Sequence, residues 1–327
     1  MFRKIVFFTI VLLLSLFLLV ASGEQKGGDE FPPYMRHAGS APGGVWWPFA
    51  AQMCVVVERE TGVISTLQPG AAYENIKAVH FGDSETGFTH SSTGYMAFNG
   101  LGIFEKEGIK YDNIRHMLNV NPQGAHFIVR ADSDITSFKD LEKKRFGFGR
   151  VGSGANVIAM AVFELYGLTL ESFRSVSYLG YTEGPQMLAD KNIDAFVALG
   201  PHPYSPLAEI DFNPGFRLLK IDEEMLDKFF ETDTTGHTRV TIEKGTYNNM
   251  DEDVVTIGNY LGVMVNKDLS EKFVYEMTKA IFENLELMWE SGPLARDWLR
   301  LETALAGNLI PVHPGALKYY KEQGITK

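Results

Sequence analysis

Short strand-like runs alternate with helical stretches along most of this chain, and that alternation predicts an α/β fold with mostly parallel sheets. Two further observations support it. Glycine- and hydroxyl-rich turns join several strands to the helices that follow, and the last third changes to helical periodicity.

In chain order, strands are expected at 34–39, 63–67, 87–89, 114–118, 126–130, 145–149, 175–179, 195–198, 216–220 and 261–265. Each is a short, mostly apolar run bounded by turn residues. Helices are expected between them at 48–59, 71–81, 94–100, 137–141, 154–166, 184–191 and 223–230. The first opens on Pro48, whose missing donor costs nothing in a first turn. The helix at 154–166 has Ser153 as its cap and stops at Gly167. From 271 to 289, Phe273, Met277, Ile281, Leu285 and Met288 recur every three to four residues and predict one amphipathic helix. A second helix is expected over 293–306.

Arg3 and Lys4 precede an apolar run over 5–20, and Ala21-Ser22-Gly23 ends it with small residues. This is the layout of a secretory signal over 1–23, with a polar, glycine-rich tether at 24–29. An uncleaved membrane anchor is the alternative; either one places the remainder outside the cytoplasm. No cysteine follows the run, so lipidation at a cysteine is excluded. Loss of the leader takes the formal charge from −11 to −13, which disfavours nucleic acid and anionic lipid as partners. The single cysteine, Cys54, forms no intramolecular disulfide and reads as a small buried hydrophobe.

Four turns carry the candidate binding residues. Gly43, Gly44, Val45, Trp46 and Trp47 lie ahead of the first helix, where glycines let a ligand approach the free N–H groups and positive dipole end. Trp46 and Trp47 would add an apolar wall. His90, Ser91 and Ser92 lead a hydroxyl cluster that exceeds what one helix cap requires. Gly152, Ser153, Gly154, Ala155 and Asn156 form the third such start. Pro201, His202 and Tyr204 stand on a proline-stiffened loop after the strand at 195–198.

Gly147-Phe148-Gly149-Arg150-Val151-Gly152 satisfies the letter of a dinucleotide fingerprint. The acidic residue that should close the next strand is misplaced, since Glu171 precedes that strand and Glu183 falls too far beyond it. A small anion at the helix start is the better reading in an exported protein. No G-x-S-x-G surrounds a serine, and the histidines show no metal-ligand spacing. Asp251-Glu252-Asp253 lacks an EF-hand frame and reads as solvated. Neither an enzyme, a metal nor a cofactor is expected.

Several segments together resemble the TAXI-type solute receptors of tripartite ATP-independent periplasmic (TRAP) transporters, over nearly all of the chain beyond the leader. They are Gly43-Gly44-Val45-Trp46-Trp47-Pro48, His126-Phe127-Ile128-Val129-Arg130-Ala131-Asp132-Ser133, Gly152-Ser153-Gly154, Gly245-Thr246-Tyr247, Asp251-Glu252-Asp253-Val254 and Pro311-Val312-His313-Pro314-Gly315-Ala316-Leu317-Lys318-Tyr319-Tyr320. The resemblance implies a type II periplasmic-binding-protein fold with two α/β lobes, a hinge and a ligand cleft. Lobe 1 would take 30–123 plus 261–327 and lobe 2 residues 124–260, with crossovers near 122–125 and 257–261. The cleft would hold a small solute between the turns above, with Tyr260 or Tyr204 completing the shell, and a TRAP permease would be the membrane partner. Where such receptors often have Gln-Ser-Asp this chain has His90-Ser91-Ser92, and where they often have Thr it has Ala155. Loss of the acidic group favours an organic acid over an amino acid as the solute.

Overall fold

A computed structural model describes residues 30–325 apart from residues 41, 43, 152 and 213; the expected leader and tether lie outside the described residues. The chain opens with β1 (Tyr34–Ala38), α1 (Trp47–Thr61), β2 (Ile64–Gln68), α2 (Ala72–Phe81), β3 (Thr86–His90) and α3 (Ser91–Asn99). The long strand β4 (Ile114–Arg130) leads to β5 (Arg145–Gly149), α4 (Gly154–Leu165), β6 (Ser175–Leu179), α5 (Glu183–Ala189) and β7 (Ala195–Gly200). There follow α6 (Ser205–Ala208), β8 (Phe216–Leu218), α7 (Glu223–Thr232), β9 (Thr238–Ile242) and a second long strand, β10 (Val254–Asn266). Helices α8 (Glu271–Glu283), α9 (Leu285–Trp289), α10 (Pro293–Trp298) and α11 (Pro314–Glu322) complete it.

The strands form one sheet in the order β2-β1-β3-β10-β4-β7-β5-β6, with β8 also on β4 and β9 also on β10. Pairing is parallel only in its outer parts, β1 with β2 and β3, and β5 with β6 and β7. Every pairing of β4 and β10 is antiparallel, which corrects the expectation of mostly parallel sheets. The reason is topological: one strand leaves the first half of the molecule and the other returns to it, so they run in opposite directions.

These two strands also correct the expected boundaries. The strands expected at 114–118 and 126–130 are one, continuous through Pro122, which lies opposite Tyr260. Strand β10 begins at Val254, ahead of the apolar run at 261–265, and β9 was not expected. The helix expected over 271–289 breaks at Asn284 (φ −120°, ψ 40°), whose side chain bonds the Ala280 carbonyl and Arg59. Beyond Trp298 the expected helix gives way to turns. Their carbonyls at Thr303, Ala304 and Ala306 accept bonds from Asn119 and from the His116 ring instead of continuing a helical ladder.

Two large apolar cores lie along the sheet. One packs α1 (Phe49, Ala50, Met53) and α8 (Phe273, Met277, Ile281) against Leu118, Val120, Leu261 and Val263. The other packs α4 (Ala155, Ile158, Val162) against Phe127, Phe148, Val197 and Ile257. The lone Cys54 is buried in the first core, and burial pushes its thiol up to about 12, well away from reactivity.

Candidate functional site

Where the cores part, the sheet turns polar. Side chains alternate along a strand, so Ile257, Asn259 and Leu261 share one face of β10. Ile257 joins the core beneath α4 and Leu261 the core beneath α1, which leaves Asn259 at the junction. Gln123 lies directly opposite Asn259 on β4, so both side chains rise from that face. Both are buried, and so is Asn121 two residues along. These three amides were not found from sequence, because a lone Asn or Gln in a strand carries no motif.

Three helix starts surround this floor. Helices α1, α3 and α4 each follow the carboxyl end of a strand (β1, β3 and β5), the usual side for ligands in α/β sheets. None has an acidic residue in its first turn, whereas α2, α7 and α8 carry Glu74, Glu223 with Glu224, and Glu271 there. No carboxylate within their own first turns therefore offsets their positive dipole ends.

The expected residues fall as follows. Gly43 and Gly152 lie outside the described residues. The Gly44 carbonyl accepts the Trp47 N–H, and Trp46 is the residue before helix α1. Val45 reaches across to pack on the apolar cluster that contains Tyr204, Leu207 and Phe196. The Trp46 ring meets His90 edge-on with centroids 6.3 Å apart. Burial draws the His90 imidazole down to about 4, opposed by the Asn259 amide beside it, so it is neutral at pH 7. The Ser92 hydroxyl accepts from Asn259 Nδ2 (2.9 Å), and the Ser91 hydroxyl accepts the Tyr260 N–H (3.1 Å). Ser153 caps α4 by accepting the Asn156 N–H.

Not every expected side chain faces the junction. Ala155 is fully buried in the second core, so only its backbone is available. Gly154 is required by packing, since a Cβ there would lie 2.6 Å from Leu199. Tyr260 points to the face opposite Asn259, and its ring covers Gly307. Tyr204 is buried in the cluster that Val45 covers, with its N–H bonded to the Tyr247 hydroxyl (2.9 Å). That hydroxyl also meets His126 Nε2 at 3.0 Å, a buried chain that the sequence did not reveal.

Tyr181, in the loop after β6, was also missed. Its hydroxyl sits against the Ser153 hydroxyl and the Ala155 N–H at the start of α4, and its ring lies 6.3 Å from that of Tyr204. Through Val45, Tyr204 and Tyr181, the starts of α1 and α4 are joined by direct packing.

A groove of about 560 Å³ opens beside the junction, lined by Val45, Pro48 and Phe49 on one side and by Pro201, His202 and Pro203 on the other. Trp298, not expected from sequence, meets His202 edge-on at 4.8 Å. Burial holds His202 at about 4, hence neutral. Glu209 and Asp297 are the charged residues along this groove. Among the described residues no cluster of His, Cys, Asp or Glu could hold a metal ion.

Two α/β halves, linked by two crossing strands and enclosing a polar junction ringed by helix starts, define the type II periplasmic-binding-protein fold. Solved structures agree. A TctC solute-binding protein from Polaromonas, without ligand, superposes with a TM-score of 0.54 at 15% identity, covering 89% of this chain and 97% of that one. A Xanthomonas citri protein bound to ATP gives 0.53 at 10% identity over 89% and 95% of the two chains. A putative sulfonate-binding protein, SsuA from Methylobacillus flagellatus, gives 0.50 at 12% identity over 90% and 86%. The chain belongs to the NMT1-like family, whose sequence model matches residues 38–324.

Proposed function

We propose that this protein is an extracytoplasmic solute receptor of the TAXI type, which captures a small organic acid between its halves and delivers it to a TRAP permease. The observation that carries the reading is the set of three helix starts around one buried polar floor, each free of acidic residues in its first turn. A carboxylate placed there would take backbone N–H bonds and compensate the dipoles. The permease assignment rests on the sequence resemblance, and export on the secretory layout of residues 1–23. A receptor for an ABC importer is the second reading, and the sulfonate-binding neighbour favours it.

The hinge is proposed where Pro122–Gly124 and Gly258–Tyr260 pair, dividing 30–123 plus 261–327 from 124–260. Contacts to both halves then couple binding to closure. The test begins with denatured and refolded protein, to remove any co-purified ligand, and a thermal-shift screen against organic acids and amino acids. Small-angle scattering with the strongest hit should show compaction, and an unchanged radius of gyration at saturation would exclude the hinge.

A second outcome follows from the net charge of −11. Distant surface charge is screened within about 8–10 Å at moderate salt, whereas helix-end dipoles act at contact. Affinity for the acid should therefore change less than about twofold between 50 and 500 mM salt by calorimetric titration. A steep salt dependence would count against recognition by helix starts.

A further inference from the structure

Resting on that receptor reading, we propose that the solute carries, besides its carboxylate, an uncharged hydrogen-bond donor that seats on the side-chain oxygens of Gln123, Asn259 and Asn121. A hydroxyl or a primary carboxamide would serve.

The argument starts from the amides' own bonds. Asn121 Nδ2 and Gln123 Nε2 both donate to the Pro122 carbonyl, at 2.9 and 3.2 Å. A carbonyl only accepts, so these bonds fix which end of each amide is nitrogen. Asn259 Nδ2 donates to Ser92. Every nitrogen is thus occupied, yet Asn121 Oδ1 and Gln123 Oε1 are buried and receive no donor from the protein, and Asn259 Oδ1 has only the His90 ring beside it, without a well-formed bond. All three residues are at least nine-tenths buried. Buried acceptors without protein donors are costly, and here three gather around one strand crossing. Gln123 and Asn259 are cross-strand partners on the sheet face that carries both cores, at the junction between them, where a solute held between the halves would meet them.

The donor's charge follows from what is missing nearby. Among the described residues, none of the fully buried polar residues is an Asp or Glu, and the most enclosed carboxylate, Asp233, is already taken by Thr235 and His237. Glu209 and Asp297 lie along the neighbouring groove and not among the three amides, so an ammonium group on this floor would have no free counter-charge in contact and a neutral donor is the better match. Helix starts take the anion; amide oxygens take the O–H or N–H. The solute is thus a hydroxy acid or an amide-bearing acid, and a zwitterionic amino acid is disfavoured.

Calorimetric titration of the refolded wild-type protein with malate, succinamate, succinate and aspartate tests this directly. Malate or succinamate should bind about tenfold more tightly than succinate, which lacks the donor, and more tightly than aspartate. Equal affinities across the set, or aspartate binding tightest, would overturn the proposal. Dimethyl malate and dimethyl succinate separate it from the carboxylate reading. If no acid binds but dimethyl malate still outbinds dimethyl succinate, the anion site is wrong and the donor site stands. Silence from every probe overturns both. In Gln123→Met, malate should fall toward the succinate level; the wild-type comparison decides the matter even if that variant does not fold.

Discussion

Lowering the pH from 7.5 to 5 should unfold this protein. His37, His126, His202 and His313 are all buried, and burial holds the first two near 3 and the last two near 4. In the unfolded chain each titrates near 6.5. Between 6.5 and 4 the unfolded state therefore binds more protons than the native state, and stability falls as the pH falls. At pH 7.5 these groups are neutral in both states, and near 6.5 the unfolded imidazoles are half charged, so the loss begins there. At pH 5.5 each histidine costs somewhat more than about 1 kcal/mol, so four together cost about 6 kcal/mol, and about 8 kcal/mol at pH 5. That is comparable with the whole stability of a typical domain. Asp140 acts in a lower window: its bonds from Thr136 and Ser137 hold it at about 2, so its contribution is lost only below about pH 4. Urea midpoints followed by circular dichroism at pH 7.5, 6.5, 5.5 and 5 should decline slightly, by about 1 kcal/mol in stability, over the first interval and drop steeply thereafter. A midpoint that holds steady to pH 5 would show that these imidazoles are not buried in solution.

The substitution with the largest expected effect is Gly258→Ala. A Cβ at Gly258 would lie 2.1 Å from the Gln123 carbonyl oxygen and 2.6 Å from Val240 Cγ2. The first neighbour is backbone in the paired strand and has nowhere to rotate, so β4 and β10 would have to separate where they cross. The expected loss is about 3 kcal/mol, the upper end of overpacking effects. Gly124, its partner in the ladder, supplies the control. A Cβ there meets Thr256 Cγ2 at 3.3 Å and Val240 Cγ1 at 3.4 Å, side-chain atoms that can give way. Gly124→Ala should therefore cost less than about 1 kcal/mol. Denaturant midpoints of the two variants provide the comparison, and equal losses would mean the strands do not cross as closely as described.

Much of the fold was legible because short apolar runs bounded by turns are hard to misread: β5 and β6 lie at the expected 145–149 and 175–179. What failed was reading across polar or proline-containing segments. The expected strands stop at residue 118 and resume at 126, with Pro122 in the gap, yet its lack of a donor is tolerated within β4. The first half of β10 contains Thr256, Gly258 and Asn259, which mimic a loop because the strand turns polar between the second core and the first. Strand β9 alternates Thr238, Val240 and Ile242 with exposed residues, a period-two signal short enough to pass unnoticed.

The candidate site divides in the same way. Its helix starts were visible because glycine, hydroxyls and proline before an apolar helix have a mechanical meaning. Its floor was not, because Gln123 and Asn259 are 136 positions apart and meet only through strand register. Tyr181 was equally silent: nothing local marks a tyrosine that will cover a helix end.

The crossing strands also govern the order in which the chain can assemble. Strand β3 is complete by His90, but its partner on one side is Leu261–Val265 of β10, synthesised some 170 residues later. Until that return, the first three strands expose an open edge, and closing so long a loop is slow. A nascent chain emerging from its amino end therefore keeps this edge unpaired until residues 261–265 have been made, when about four-fifths of the chain exists, so its first half is completed by a segment from the last third.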